Sequence, residues 1–463
     1  MITYKKTYHN IYFVFNRLLF VGTLALLITM PAMLGAQEKR PGFKKTDSLT
    51  YVLYQQQKWD ELIETGEYAL KHGIDYYYLQ MRVGIAWYEK GNFRQAIPHF
   101  EAALKFNDQD QTAMEYLYYC YLFSGRQYDI RRLMPRLNKS TMEKMGIKKS
   151  GILEDVYIEG GPGFSDDQKI KNNRNGTREL DTIYNSTYLY GNTLYYHVGA
   201  RFNIHPNISI YQGYSGIKAP FTQKIWYQDL PLDLDDFTYT TYQDEYYGNL
   251  EIGLPNGIKI TPAWHFLWYK YDNRNIGYDT ISFALTVDTA TIHRSEYVMS
   301  LSIRKDLPNL AFELNGVFGD FGRKNQSQLG ISAFVYPFGN LNFYTQTSFI
   351  NVWQPGVYSL IFQQMVGGRL ANKLWVEANF TLGNLTNFAE NNAFTIYNAP
   401  EKINYKFETA FIYDLNKHLG FSLRYRLEQR ENEYLYYRTI NEYDRLITKY
   451  FYHSIIGGIK WRF

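Results

Sequence analysis

Tyr450-Phe451-Tyr452-His453-Ser454-Ile455-Ile456-Gly457-Gly458-Ile459-Lys460-Trp461-Arg462-Phe463 is the stretch that decides the fold. Phe451, His453, Ile455, Gly457, Ile459, Trp461 and Phe463 fall on one face of an extended chain. Tyr450, Tyr452, Ser454, Ile456, Gly458, Lys460 and Arg462 fall on the other. A period of two belongs to a strand, because successive side chains point to opposite faces. The preceding segment repeats it, with Leu419, Phe421, Leu423, Tyr425 and Leu427 against Ser422, Arg424, Arg426 and Glu428. A soluble sandwich with one wet face and a membrane barrel both satisfy this pattern.

Working outward, alternating segments of ten or more residues recur back to Ile152, longer than typical sandwich strands. Very short connections alternate with longer ones. The short ones are His205-Pro206-Asn207, Leu254-Pro255-Asn256-Gly257, Leu307-Pro308-Asn309, Phe338-Gly339-Asn340, Leu370-Ala371-Asn372-Lys373 and Leu415-Asn416-Lys417-His418. The long ones are about 164–187, 218–243, 272–292, 386–401 and 430–447, expected as external loops; 320–326 and 352–356 are shorter. Short turns at one end and long loops at the other favour a transmembrane β-barrel. The expectation is about 14 strands, with 12 to 16 allowed, over residues 150–463. Trp461 and Phe463, outward on the closing strand, are the expected signal to the barrel-assembly machinery.

Composition agrees with a membrane boundary. Aromatic residues make up 18% of the 463, led by 45 tyrosines and 30 phenylalanines. Rings with an apolar body and a polar tip suit a lipid–water interface. Net charge is only +4, which gives no reason to propose nucleic acid as a partner. By strand parity, Arg201, Glu296, Arg304, Glu313, Glu377, Lys406, Glu408, Arg424, Arg426 and Glu428 point inward. Arg201, Glu377, Lys406, Glu408, Arg424, Arg426 and Glu428 are the expected lumen network, with Glu408 facing Arg424 or Arg426 across a hairpin. Both signs are present, which predicts a crosslinked lumen rather than a single-sign channel.

At the other end, Lys5, Lys6 and Arg17 precede the apolar run Leu18–Ile28, closed by Pro31, with small residues at Ala32, Gly35 and Ala36. This is the pattern of a secretion signal, expected to span residues 1–36.

Residues 43–145 carry helical periodicity. Val83–Ile97 is amphipathic on both sides of Gly91 and continues to Phe100 and Ala103, so it predicts two helices joined by a tight turn. Gly84, Trp87, Gly91, Phe93, Ala96, Phe100 and Ala103 match the spacing of the tetratricopeptide repeat, whose period is about 34 residues. Trp59, Ala69 and Leu70 fall one period earlier, with Gln57 at the turn position; Tyr121 and Gly125 fall one period later. The module therefore resembles tetratricopeptide-repeat proteins, and the whole chain resembles YaiO-like repeat-bearing outer-membrane barrels. That resemblance implies a concave face built from the first helix of each repeat: Tyr78, Met81, Ile85, Tyr88, Glu89 and Tyr119, an exposed partner-binding stripe.

No nucleophile–base motif, CxxC or metal-ligand spacing appears. The single cysteine, Cys120, reads as a buried packing residue. His197 and His265 are candidates to face the lumen without forming a local motif. The fold class expected is α+β multidomain: helical hairpins in the periplasm followed by an antiparallel barrel in the outer membrane. The function expected is non-enzymatic, without cofactor or metal: a scaffold in contact with lipid whose module recruits a periplasmic protein. Polysaccharide export and a lipid-modifying Ser/His barrel enzyme are the alternatives.

Overall fold

In the computed structural model, residues 42–148, 151–165, 184–227, 237–279, 284–321, 324–399, 401–439 and 442–463 are described. The signal segment expected at 1–36 lies outside them, as does most of the 164–187 connection.

Among the described residues, seven α-helices come first: α1 Phe43–Gln55, α2 Trp59–Lys71, α3 Tyr77–Glu89, α4 Phe93–Phe106, α5 Gln111–Phe123, α6 Gln127–Leu133 and α7 Lys139–Met145. Three hairpins follow one plan. The turns α1–α2, α3–α4 and α5–α6 each place one residue in the left-handed region: Gln57 at φ 55°, Gly91 at φ 71° and Gly125 at φ 73°. Glycine takes that conformation without a Cβ clash; Gln57 bears the usual penalty. Asn92 then caps α4 by accepting the Gln95 N–H. Between α3 and α4, Phe100 is fully buried against Gly84, where a Cβ would lie 2.9 Å from its ring. Cys120 is buried among the same side chains, and burial pushes its thiol well up, consistent with an inert packing role. Among the described residues, no helix is long and apolar enough to cross a membrane.

Fourteen antiparallel strands then close into a barrel. The small ones are β1 Leu153–Phe164, β3 Thr193–His205, β8 Leu310–Phe321, β9 Lys324–Val335, β10 Phe343–Gln354, β11 Val357–Ala371, β12 Leu374–Leu382 and β15 Lys402–Asp414. The long ones are β4 Ile208–Tyr227, β5 Phe237–Leu254, β6 Ile258–Asp279, β7 Ala284–Asp306, β16 Leu419–Tyr437 and β17 Tyr443–Arg462. Each pairs with its chain neighbours, and β17 returns to β1 with Ile158 opposite Ile459, which closes the ring. Closure leaves no open sheet edge among the described strands of the ring. An extra strand, β2 Tyr184–Tyr190, joins the outer ends of β4 and β16.

The outward face is apolar. Leu301, Ile303, Leu310, Phe312, Leu314, Leu329, Ile331, Leu360, Phe411, Leu423 and Ile459 are all exposed there. Twelve residues at about 3.3 Å rise, tilted about 40°, cover roughly 30 Å, the thickness of a bilayer core. The eight smaller strands are close to that length.

All six short connections fall between paired strands at the helical end. The far end differs from the expectation of long loops. The described residues of 218–243, 272–292 and 430–447 are mainly strand, extending β4–β7 and β16–β17 beyond the belt. Sequence hid this because these strand extensions lack the regular apolar alternation that marks the rest of the barrel. The 386–401 segment is a larger correction: it folds into the lumen as a hairpin, β13 Phe388–Glu390 with β14 Thr395–Tyr397.

Candidate functional site

Two features organise the interior: the hairpin plug and the junction where the helical module meets the barrel. The plug turns through Asn391, Asn392 and Ala393, all at positive φ (54°, 55° and 64°). Asparagine tolerates that region, so two of the three turn residues suit it. Its apolar side packs Ala389 and Ala393 on Leu267, Val298, Val317 and Phe321, and Leu385 and Phe388 on Val352 and Ile361. Polar ties reach around the wall. Gln326 donates to Asn387 O (2.7 Å), Asn315 to Asn392 (2.9 Å), Gln363 to Glu390 (2.6 Å) and His265 Nδ1 to Ala393 O (2.7 Å). At its base Lys406, 1% exposed, pairs with Glu390 at 2.5 Å and donates to the Tyr397 hydroxyl at 2.8 Å.

The other lumen residues divide into separate pairs. Glu408 lies opposite Arg426 in the β15–β16 register and accepts its Nε at 2.7 Å. Arg424 instead turns to Glu159 on β1. Glu428 pairs with Arg430 at 2.6 Å and lies 3.9 Å from Arg426. Arg201 meets Glu251 at 3.2 Å, near the helical end. Glu377 stands outside these ion pairs and accepts the Tyr344 hydroxyl at 2.5 Å. Glu159, Glu251, Glu390 and Arg430 were not singled out from sequence; β-strand parity marks Glu159 and Arg430, whereas nothing local marks Glu390.

His197 and His265 do face inward. His197 contacts Ser215 Oγ at 2.8 Å and Tyr211 OH at 2.6 Å, under the Phe394 ring at 5.1 Å. Both His197 and Ser215 are buried, and neither lines the lumen cavity described below. This pair has the atom types of a nucleophile and base, with both side chains buried.

The helical module is clamped to the turn end of the barrel. Asp306, at the end of β7, is the node. It accepts Arg94 Nη1 from α4 (3.0 Å), Tyr128 OH from α6 (2.7 Å), and Arg304 Nη2 and Nε from its own strand (3.1 and 3.2 Å). The Arg94 and Asp306 side chains are 2% and 1% exposed. The Arg94 guanidinium also lies 3.6 Å over the Tyr336 ring. Around the node, Arg131 pairs with Glu251 (2.7 Å) and Glu154 (3.3 Å), and Arg132 donates to Leu254 O (2.8 Å). Asn340 donates to Gly91 O (2.9 Å), and the Arg94 N–H to Gly339 O (3.0 Å).

The expected tyrosine stripe is not a surface. Met81 is buried, 6% exposed, and Ile85 and Tyr88 pack against the same core. Tyr88 meets Phe93 and Tyr116 edge-on at 5.3 and 5.1 Å, because α5 lies over that face of α3. Tyr119 is half-buried against Tyr118 and Phe123. Only Tyr78 and Glu89 of the six remain exposed. Tyr78 instead forms a patch with Tyr51 of α1, with the Arg82 guanidinium 5.3 Å from the Tyr51 ring and 5.8 Å from that of Tyr78. Arg82 pairs with Asp47 at 2.8 Å, and that hydrogen bond holds the Asp47 carboxyl below its ordinary range. Trp461 and Phe463 are outward, 46% and 61% exposed. Among the described residues, no cluster of His, Cys, Asp or Glu has metal-site geometry.

No family model matches the chain, and no curated protein sequence matches it significantly. Solved structures do. The toluene transporter TodX of P. putida covers 92% of its own length and 70% of this chain, at 7% identity and TM-score 0.45. A FadL homologue of Pseudomonas aeruginosa covers 90% of itself and 67% of this chain, at 5% identity and TM-score 0.42. The helical part is similar to MamA, over 23% of this chain and 57% of that one, at 19% identity and TM-score 0.20. It is also similar to YrrB, described as a TPR protein with an unusual peptide-binding site, at 16% identity, TM-score 0.20, over 22% of this chain and 51% of that one.

Proposed function

We propose that this protein is a plugged outer-membrane barrel that holds its tetratricopeptide-like module fixed beneath it, in the periplasm, as a docking platform for another envelope protein. The observation that supports this best is the division of labour within the module. Its ion pairs and hydrogen bonds to the barrel come from residues 91–132, including the buried Arg94–Asp306 pair. Its first helices are left outside that junction, with Tyr51 and Tyr78 exposed. A rigid mount lowers the ordering cost of capturing a partner. The lumenal hairpin argues against the polymer-export reading, since Lys406 and Glu390 tie it across the path a polymer would take. The covered Ser215–His197 pair likewise speaks against a lipid-modifying enzyme. The apolar belt supports an outer-membrane location, with lipid as its surroundings. Outward Trp461 and Phe463 are suited to engaging the assembly machinery.

The test is photo-crosslinking in intact cells from a residue beside the Tyr51–Tyr78 patch, comparing the natural protein with Tyr51→Ala/Tyr78→Ala. Both side chains are exposed, so helical content and barrel heat-modifiability should persist. A specific periplasmic crosslink that disappears in the variant supports docking there. An unchanged crosslink pattern removes this surface from the account.

A further inference from the structure

We infer that the lumen beyond the plug is a binding site for a short, uncharged oligosaccharide. A partly open cavity of about 520 Å³ lies there, within the roughly 300–1,000 Å³ typical of small-molecule sites. Its two walls differ. On one, Phe221 of β4 stacks on Tyr239 of β5 with centroids 5.6 Å apart. Tyr271 of β6 lies 6.3 Å beyond Tyr239 and is stacked at 6.3 Å with Tyr269. These rings belong to three adjacent strands and form one aromatic surface. On the other wall, Arg424, Arg426, Glu428 and Arg430 rise from β16.

Charge balance narrows the ligand. Arg424 is held by Glu159, Arg426 by Glu408 and Arg430 by Glu428, so each arginine of this wall already has its anion. Glu159, Glu408 and Glu428 are engaged by those arginines, and Glu245, which also lines the space, accepts the Gln243 amide at 2.6 Å. A hydrocarbon chain would fit the aromatic wall but would strip water from the opposite, hydrogen-bonding wall. One donor there is still unspent: Arg430 Nη1, on a side chain 8% exposed, has no hydrogen-bond partner among the described residues, its nearest carboxylate being Glu401 at 3.6 Å. A ligand that satisfies both walls has flat apolar faces and a rim of neutral hydroxyls. A sugar ring is such a molecule: its C–H face lies on tyrosine, and its hydroxyls meet Arg430, Gln243 and Asn398, which line the same space.

The experiment uses the full-length protein in a non-glycosidic detergent, titrated with maltotriose, cellotriose and chitotriose by calorimetry and saturation-transfer NMR. Saturable binding of at least one is expected, weakened roughly tenfold or more in Tyr239→Ala/Tyr271→Ala. Tyr239→Phe/Tyr271→Phe keeps every ring and should retain binding, which separates stacking from a folding defect; heat-modifiability checks both variants. Absence of saturable binding to all three sugars overturns the inference. So does binding of laurate, but not sugar, that the alanine variant abolishes, because the site would then recognise an amphipathic anion. Neither result bears on the docking platform, which depends on the opposite end of the barrel.

Discussion

Replacing Asp306 with asparagine tests the clamp with little change of shape. The carboxylate accepts four hydrogen bonds, from Arg94, Tyr128 and two nitrogens of Arg304, and both guanidiniums lose their counter-charge in the variant. Removing one partner of a buried pair costs about 3–5 kcal/mol. The lower end applies here. Arg94 keeps its bond to Ser124 O (3.2 Å) and its stacking on Tyr336, and asparagine retains one acceptor oxygen. About 3 kcal/mol corresponds to a roughly 150-fold shift in the equilibrium between clamped and released module. Hydrogen exchange on the full-length protein in lipid nanodiscs reads that equilibrium segment by segment. Amides of α6 and the start of α4 should exchange up to about 100-fold faster, while β8–β12 remain as protected as before. Unchanged exchange in α4 and α6 would refute the idea that Asp306 holds the module.

Three further outcomes follow from the same contacts. Glu390→Gln leaves Lys406 buried without its anion, at a cost of about 3 kcal/mol, so planar-bilayer recordings should change from electrically quiet to flickering current; a variant as quiet as the natural protein would show that this pair does not hold the plug. Deleting Phe463 removes a 61% exposed apolar ring from the closing strand and should lower the heat-modifiable fraction while helical content persists; equal heat-modifiability would exclude an assembly role. In the helical module, Glu67 is held below its ordinary range chiefly by its hydrogen bond with His99, and Asp47 by Arg82. A lowered folded-state pKa gives stability that is present above the unfolded value and lost as pH falls, so module melting should be flat from neutrality and drop below about pH 4.5. Because both carboxylates are partly exposed, the drop should be small; a loss between about pH 7 and 6 would contradict this assignment.

What could be read from sequence was whatever repeats. The alternation in 450–463 and 419–428 records which side of a strand faces out of the barrel, and the six short turns set how strands pair. The 34-residue spacing anticipates the left-handed turns at Gln57, Gly91 and Gly125, even where glutamine stands for glycine. The plug was not legible. Phe388–Glu390 and Thr395–Tyr397 are three residues each, too short for a period, and their Asn-rich surroundings read as a loop. Its buried position depends on Lys406 and Gln363, which only the closed ring brings near Glu390. The Asp306 node was hidden similarly, since Arg94, Tyr128 and Asp306 are separated by up to 212 residues. The tyrosine stripe failed for another reason. Periodicity identifies a face of α3 but not whether α5 covers it, and α5 covers Met81, Ile85 and Tyr88.

Pulsed electron–electron distance measurement on the full-length protein in lipid tests most directly whether a membrane barrel carries its helical module rigidly. Cys120 is replaced by alanine, and spin labels are placed at Lys105 on α4 and Lys373 in the β11–β12 turn, both exposed. A clamped module gives one narrow distance distribution that broadens on Asp306→Asn. A broad or multiple distribution in the otherwise natural protein would mean the module swings free of the barrel, and the fixed platform would have to be abandoned.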